Sequence, residues 1–197
     1  MRPSVSGLVL AAGTSRRLGH PKQLLPFRGT TLLGWVLAQA TASRALDEVI
    51  VVIGSSADAV RSHIAMPGVR VVENPDFGEG CSASYRAGLG ALAPGIAAVA
   101  VLPGDMVGLE STVIDAVVEG WRQGDQPIVA ADYRGRLGHP LVFARTLFSE
   151  LARLHGDKAA WKLLDRHAVR VGTVAVDRPY PMDVNTPEDY ATLRQVH

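Results

Sequence analysis

Short apolar runs alternate along the chain with segments whose apolar residues recur at helical spacing. Val5–Ala11, Glu48–Ile53, Val69–Val72, Ala97–Leu102, Pro127–Ala131, Leu141–Ala144 and Val169–Val176 read as strands. Helices are expected near Thr31–Ser43, Ala57–Ala65, Ser82–Leu92, Ser111–Arg122, Arg145–Leu154, Lys158–Arg166 and Pro187–Gln195. Ser56 and Ser82 are good N-cap types, and Thr186 places Pro187 at a first helical position. This alternation predicts a parallel or mixed sheet with helices on its faces. Pro67-Gly68, Pro94-Gly95 and Gly135 mark turns only, and no repeat or linker interrupts the pattern. With 197 residues, 47% of them hydrophobic, one domain spanning 1–197 is expected.

Open α/β sheets bind ligands at the carboxyl ends of their strands, so the polar residues following each apolar run are the first candidates. They are Ala12–Lys22, Glu73–Ser84, Gly104-Asp105 and, near the end, Asp183. The first of these reads Leu10-Ala-Ala-Gly-Thr-Ser-Arg-Arg-Leu-Gly-His-Pro-Lys22. Gly13 and Gly19 permit positive φ and close approach of backbone N–H groups to an anion, and Arg16, Arg17 and Lys22 add fixed charge. A triphosphate is the ligand that most needs this combination. Two better-known phosphate loops do not fit: His20 follows Gly19 where G-x-x-x-x-G-K-[ST] needs lysine, and G-x-G-x-x-G is absent from the loop.

Asp105 follows an apolar run and Gly104, a place from which a carboxylate reaches a cleft and offers oxygen to a hard cation; capping of its own turn is the alternative. Asn74, Gly80, Cys81, Ser82 and Ser84 gather near a helix N-terminus, which suits an anion. Cys81 has no histidine in a recognisable partnering motif. The other histidines, His20, His63, His155, His167 and His197, lack zinc-ligand spacing.

Charge narrows the partners. A net charge of +1 gives no broad basic field, so nucleic-acid binding has no compositional support. No apolar stretch reaches the length of a membrane span, and neither signal peptide nor anchor is expected. One cysteine forms no internal disulfide, and a cytoplasmic location is the expectation.

The loop also carries a family resemblance. Leu10, Ala11, Ala12, Gly13, Ser15, Arg17, Gly19 and Lys22, continued by Gln23-Leu24-Leu25-Pro26-Phe27, fall on a signature L-A-A-G-x-S-x-R-x-G-x-x-K. It resembles that of the molybdopterin nucleotidyltransferases and, more broadly, sugar-1-phosphate nucleotidyltransferases. Four further stretches keep their order along nearly the whole length: Glu73-Asn74-Pro75 with Gly80 and Ser84, Gly104-Asp105-Met106, Gly138-His139-Pro140, and Asp183 to Asp189. Together they look most like the molybdenum cofactor cytidylyltransferase branch.

The resemblance implies a Rossmann-like three-layer sandwich, a mostly parallel mixed sheet with helices on both faces. It implies transfer of CMP from CTP to the terminal phosphate of a molybdopterin-type acceptor, with Mg²⁺ and release of pyrophosphate. Arg17, Lys22 and Asp105 would then be catalytic. Leu10, Ala11, Ala12, Gly13, Ser15, Arg17, Lys22, Asn74, Gly80, Ser84 and Asp105 would hold the nucleotide. His139 and Pro140 would lie on the acceptor side, and Asp105 and Asp183 would hold the metal. For His139, packing in a turn is the alternative; for Asp183, shaping its own turn. Ala12-Gly13 resembles cytidylyl enzymes, whereas guanylyl relatives carry two glycines there. GTP use, a sugar-1-phosphate acceptor, or a non-catalytic accessory of a molybdenum hydroxylase apoenzyme are the other readings the resemblance allows.

Three positions depart from the family pattern. Val107 stands where proline is usual, and Asn185 where a second acid is frequent. Gly156-Asp157-Lys158 begins a motif that usually continues Gly-Ala-Arg, but Trp161 stands where the arginine belongs; Asp157 is also a plausible N-cap.

Overall fold

The computed structural model describes residues 2–154 and 159–196. The elements follow in the order β1 (Val5–Ala11), β2 (Pro26–Phe27), β3 (Thr30–Thr31), α1 (Leu32–Ala42), β4 (Glu48–Ile53), α2 (Ala57–His63), β5 (Val69–Glu73) and α3 (Cys81–Gly90). Then come β6 (Ala98–Pro103), β7 (Met106–Val107), α4 (Ser111–Gln123), β8 (Ile128–Tyr133), β9 (Arg136–Ala144), α5 (Phe148–Arg153), α6 (Ala159–Arg166), β10 (Val171–Ala175), β11 (Met182–Asp183) and α7 (Pro187–Val196).

Seven strands form one sheet in the order β10-β8-β9-β6-β1-β4-β5. β9 alone runs antiparallel to its neighbours β6 and β8, so the sheet is mixed and mostly parallel, as expected. Successive side chains of a strand point to opposite faces, and β1 shows the result. Val9 joins a core under α1, α2 and α4 with Leu33, Val60 and Val117, while Leu8 joins a second core under α3, α5 and α6 with Tyr85, Leu151 and Leu163. The molecule is therefore a three-layer α/β sandwich. A third cluster, with Leu18, Phe27, Leu32, Val107, Val184 and Leu193, fastens α7 and the short strands to the sheet rim. Among the described residues no helix is long and apolar enough to cross a membrane.

The expected Leu141–Ala144 strand begins earlier, at Arg136, because a bulge accommodates the Gly138-His139-Pro140 segment that reads as a turn. Pairing to β8 steps from Ala130–Leu141 to Ala131–Gly138. The step leaves His139 and Pro140 outside the ladder, so Pro140, which has no N–H, removes no ladder bond. At the β10 edge of the sheet the expected strand Val169–Val176 shortens to Val171–Ala175, preceded by a single 3-10 turn, and Val169 is 94% exposed.

The expected caps divide. Thr186 Oγ1 accepts from the Asp189 N–H at 3.2 Å, and Asp189 Oδ2 accepts from the N–H groups of Thr186 and Asn185 at 2.8 and 2.9 Å. That reciprocal box starts α7 with Pro187 inside it. Ser56 stands before α2 but makes no capping bond. Ser82 lies inside α3, and Gly80 takes the N-cap at φ 93°, a conformation that favours glycine. The motif at Gly156-Asp157-Lys158, together with His155 and His197, lies outside the described residues.

One buried cation ties the N-terminal segment to α4. The Arg122 side chain, 5% exposed, donates to the carbonyls of Pro3 and Ala45 at 3.0 and 2.8 Å and pairs with Asp47 and Glu119. Arg122→Ala is expected to lower the unfolding free energy by about 1–3 kcal/mol, because these acceptors lose their donor. Urea denaturation measures it; an unchanged midpoint would mean that water replaces the guanidinium.

Candidate nucleotide site

The loop after β1 is shaped by side chains that bond back to its own backbone. Gln23, 3% exposed, donates from Nε2 to the carbonyls of Ala11 at 2.7 Å and Gly13 at 3.2 Å. Ser15 Oγ accepts from the Lys22 N–H at 3.1 Å, and Ser55 donates to the Gly13 carbonyl at 3.0 Å. Of the two glycines expected to supply positive φ, Gly19 does so at 73°; Gly13 does not, and Ser15 takes φ 53° instead, its hydroxyl held by the turn it closes. Buried Leu18 anchors the loop in the third cluster.

Beside this loop β6 ends at Pro103, and Gly104 follows. A side chain there would meet Ala11 Cβ at 2.9 Å and the Leu10 carbonyl at 3.0 Å, so glycine lets the two strand ends close up. The next residue is Asp105. Lys22 Nζ donates to Asp105 Oδ2 and, at 3.1 Å, to Asn185 Oδ1. The short β7–β11 ladder sets Asp183 opposite Met106 and so brings it beside Asp105. Burial, then the Asp105 charge, raises the Asp183 carboxyl to about 6, with Lys22 and Arg136 pulling the other way.

These groups border a cavity of about 580 Å³ between the loop, the turn before α3, the end of β6, and α6. Of the fourteen residues that the resemblance assigns to a site, nine line it: Leu10, Ala11, Ala12, Gly13, Lys22, Gly80, Ser84, Asp105 and His139. Five do not. Ser15 braces the loop, and exposed Arg17 stands away from the wall, where Arg16 lies instead. Asn74 is buried behind the wall, donating to Ser84 Oγ at 3.2 Å and accepting from the Asp76 N–H. Pro140 lies in the bulge, and Asp183 stands beside Asp105 at the rim. His139 belongs to β9 rather than to a turn; burial lowers its pKa to about 4, so the ring is neutral. Gln23, Phe77, Tyr85 and Trp161 also line the cavity. Gln23's position directly after Lys22 was the available signal for the first; nothing local to the sequence marks the others as wall residues.

Among the described residues no three metal-ligating side chains of the His, Cys, Asp and Glu types cluster. Two carboxylates drawn together, one with its proton affinity raised by burial and then by the other, nevertheless suit a hard divalent cation that completes its shell with phosphate and water.

Residues 7–171 match the family described as the MobA-like NTP transferase domain. Over 204 residues the chain is 33% identical to the nicotine blue oxidoreductase of Paenarthrobacter nicotinovorans, covering 99% of this chain and 96% of that one. It is 23% identical over 196 residues to the molybdenum cofactor cytidylyltransferase of Escherichia coli K12, covering 98% and 96%. The crystal structure of Rv0371C from Mycobacterium tuberculosis H37Rv, a complex with manganese, superposes with a TM-score of 0.85 at 37% identity, covering 99% of this chain and all of that one.

Proposed function

The chain belongs to the MobA-like NTP transferase domain family, and on that premise we propose a divalent-metal-dependent nucleotidyltransferase whose single domain spans residues 1–197. The donor is CTP with Mg²⁺, and the acceptor is the terminal phosphate of a molybdopterin-type molecule. The observation that carries this reading is the contact of Lys22 with Asp105 at a cavity whose other wall is the Leu10–Gly13 backbone. The identity shared with the cytidylyltransferase of Escherichia coli supports it. A nucleoside triphosphate substrate puts the reaction in the cytoplasm.

An acceptor phosphate oxygen attacks the α-phosphorus of CTP. The new P–O bond forms as the bond from the α-phosphorus to the oxygen bridging the β-phosphate breaks, and the electron pair leaves with pyrophosphate. A phosphate nucleophile is already deprotonated near neutral pH, so alignment and charge compensation carry the step. Arg16, Lys22 and the loop N–H groups face the charge on the β- and γ-phosphates. Asp105 and Asp183 would hold the divalent ion, which supplies further charge compensation at the phosphates.

Calorimetry with CTP and GTP, with and without Mg²⁺, and pyrophosphate release with purified molybdopterin test the proposal. Absence of binding by every triphosphate sinks it. The identity to a protein named an oxidoreductase adds one arm to the assay: reduction of nicotine blue by a nicotinamide reductant, without pyrophosphate release, would replace the transfer reading.

CTP is expected to be preferred over GTP. Ala12 is 5% exposed, and its methyl group fills the approach to Gly54, where any added Cβ would come within 2.8 Å. The methyl group therefore sets how closely the loop packs against the turn after β4. One such group supplies about 1–3 kcal/mol of discrimination, hence a preference rather than exclusion. Comparing kcat/KM for both nucleotides in the wild type and Ala12→Gly decides it; equal use by the wild type refutes the base assignment.

A further inference from the structure

The Lys22 ammonium faces two demands. Its Nζ donates to Asp105 Oδ2 and, at 3.1 Å, to Asn185 Oδ1, so two of its three N–H donors are committed to side-chain oxygens. The same side chain lines the cavity together with Gly13 and Arg16, on the loop that faces a triphosphate. The contact is shielded: the side chains of Lys22 and Asp105 are 18% and 15% exposed. At that depth water repays little of a broken ion pair, so the ammonium leaves Asp105 only when another anion receives it. The backbone of Lys22 stays where it is, since its N–H donates to Ser15 Oγ at 3.1 Å and its carbonyl accepts from the Leu25 N–H at 3.1 Å. Only the flexible four-carbon stem is left to swing. Asn185 offers a neutral oxygen where a second acid is frequent, so the ammonium is held by one charged contact and one neutral one. A triphosphate exceeds that hold in charge.

Resting on the transfer reading above, we infer that Lys22 is a placeholder cation: in the free protein it covers Oδ2 of Asp105, and it yields that oxygen when a triphosphate takes over its ammonium. Metal and nucleotide binding are thereby coupled through one side chain. An ammonium and a divalent ion in contact with the same carboxylate oxygen repel each other, and the repulsion is strong away from bulk water. Triphosphate draws one of these two competing cations off the carboxylate, and an ion on Asp105 in turn favours Lys22 on phosphate. Such coupling is reciprocal and commonly amounts to about 5–150-fold in affinity. The exchange also orders events: until a triphosphate arrives, the carboxylate at the reacting centre is neutralised by the chain's own lysine.

The test uses the full chain with Mn²⁺ alone as probe, the free ion being counted by electron paramagnetic resonance. Wild type, Lys22→Met, Arg16→Met and the double variant Lys22→Met/Asp105→Asn are compared. Lys22→Met is expected to bind Mn²⁺ about tenfold more tightly than the wild type, and the double variant to lose that gain. Arg16→Met removes the same charge from the same cavity wall, and a change of less than about threefold is expected for it, because a charge not in contact with the carboxylate is screened. The second readout is the ¹⁵N resonance of the Lys22 ammonium, told apart from those of Lys158 and Lys162 by its loss in Lys22→Met or, should that variant not fold, in Lys22→Arg. With a chelator present, CTP is expected to shift this resonance in the wild type. Equal Mn²⁺ affinity of wild type and Lys22→Met, an equal gain in Arg16→Met, or a resonance that stays in place while calorimetry shows CTP binding overturns the inference. Absence of binding by every triphosphate overturns the transfer reading instead, and an Asp105-dependent gain in Lys22→Met then leaves Lys22 standing as the bar to the metal.

Discussion

Asp105→Asn is expected to lower pyrophosphate release by on the order of 10²–10³-fold, the usual cost of losing one charge-stabilising group at a reacting centre. The substitution keeps the side chain's size and removes only its charge. In the free protein Lys22 keeps its bond to Asn185 and can donate to the new amide oxygen. The melting temperature is therefore expected to move much less than the rate. Asp105→Glu should recover part of the activity if a carboxylate is what matters, because it restores the charge at a displaced position. Near wild-type turnover by Asp105→Asn would remove Asp105 from the reacting centre.

The second large effect is a pH dependence of stability. Burial lowers the His139 pKa from 6.5 to about 4. The unfolded chain therefore takes up this proton before the folded one does. The stability that the neutral ring contributes is complete above about pH 6.5 and is lost as pH falls toward 4, a loss of about 3 kcal/mol at one pKa unit per 1.36 kcal/mol. Asp183 works in the opposite sense, since its carboxyl is raised from 3.8 to about 6. Its contribution is present below the unfolded value and disappears as pH rises through 6. Urea denaturation between pH 4 and 7 separates the two. His139→Gln should lose less stability than the wild type on acidification, and Asp183→Asn should lose more. A His139→Gln profile parallel to the wild type's would show that the imidazole is not held neutral.

What the sequence reveals of this molecule depends on how local each cause is. β1 and β4 have the expected limits because both are buried among neighbours on either side, so all their residues but Ser6 and Glu48 are apolar. β9 is misjudged at its start because Pro140 signals a break, and only the partner strand shows that a bulge absorbs it. The β7–β11 ladder has two residues on each side, too few for any periodicity, yet it alone brings Asp183 to Asp105. The loop is legible as a phosphate loop from its glycines and cations. Which of Arg16 and Arg17 faces the cavity depends on the turn fixed by Ser15 and Lys22. Trp161 reads as a departure from a pattern, and its place on the wall follows from how α6 packs over β9 and α5.

In a sheet whose strands all ran the same way, only strand ends would reach the ligand-binding rim. Reversing β9 brings the beginning of a strand to that rim, so His139 arrives there as a side chain leaving a strand rather than as part of a loop entering a helix. The two halves of the pocket are thus supplied by chain segments with separate supports. The loop after β1 is braced by Gln23 and Ser55, whereas His139, in the bulge, is braced by the hydroxyl of Tyr133 on β8, which donates to its carbonyl at 2.6 Å. Substitutions that remodel one half leave the hydrogen bonds of the other in place. The residues of one half can therefore vary without disturbing the supports of the other.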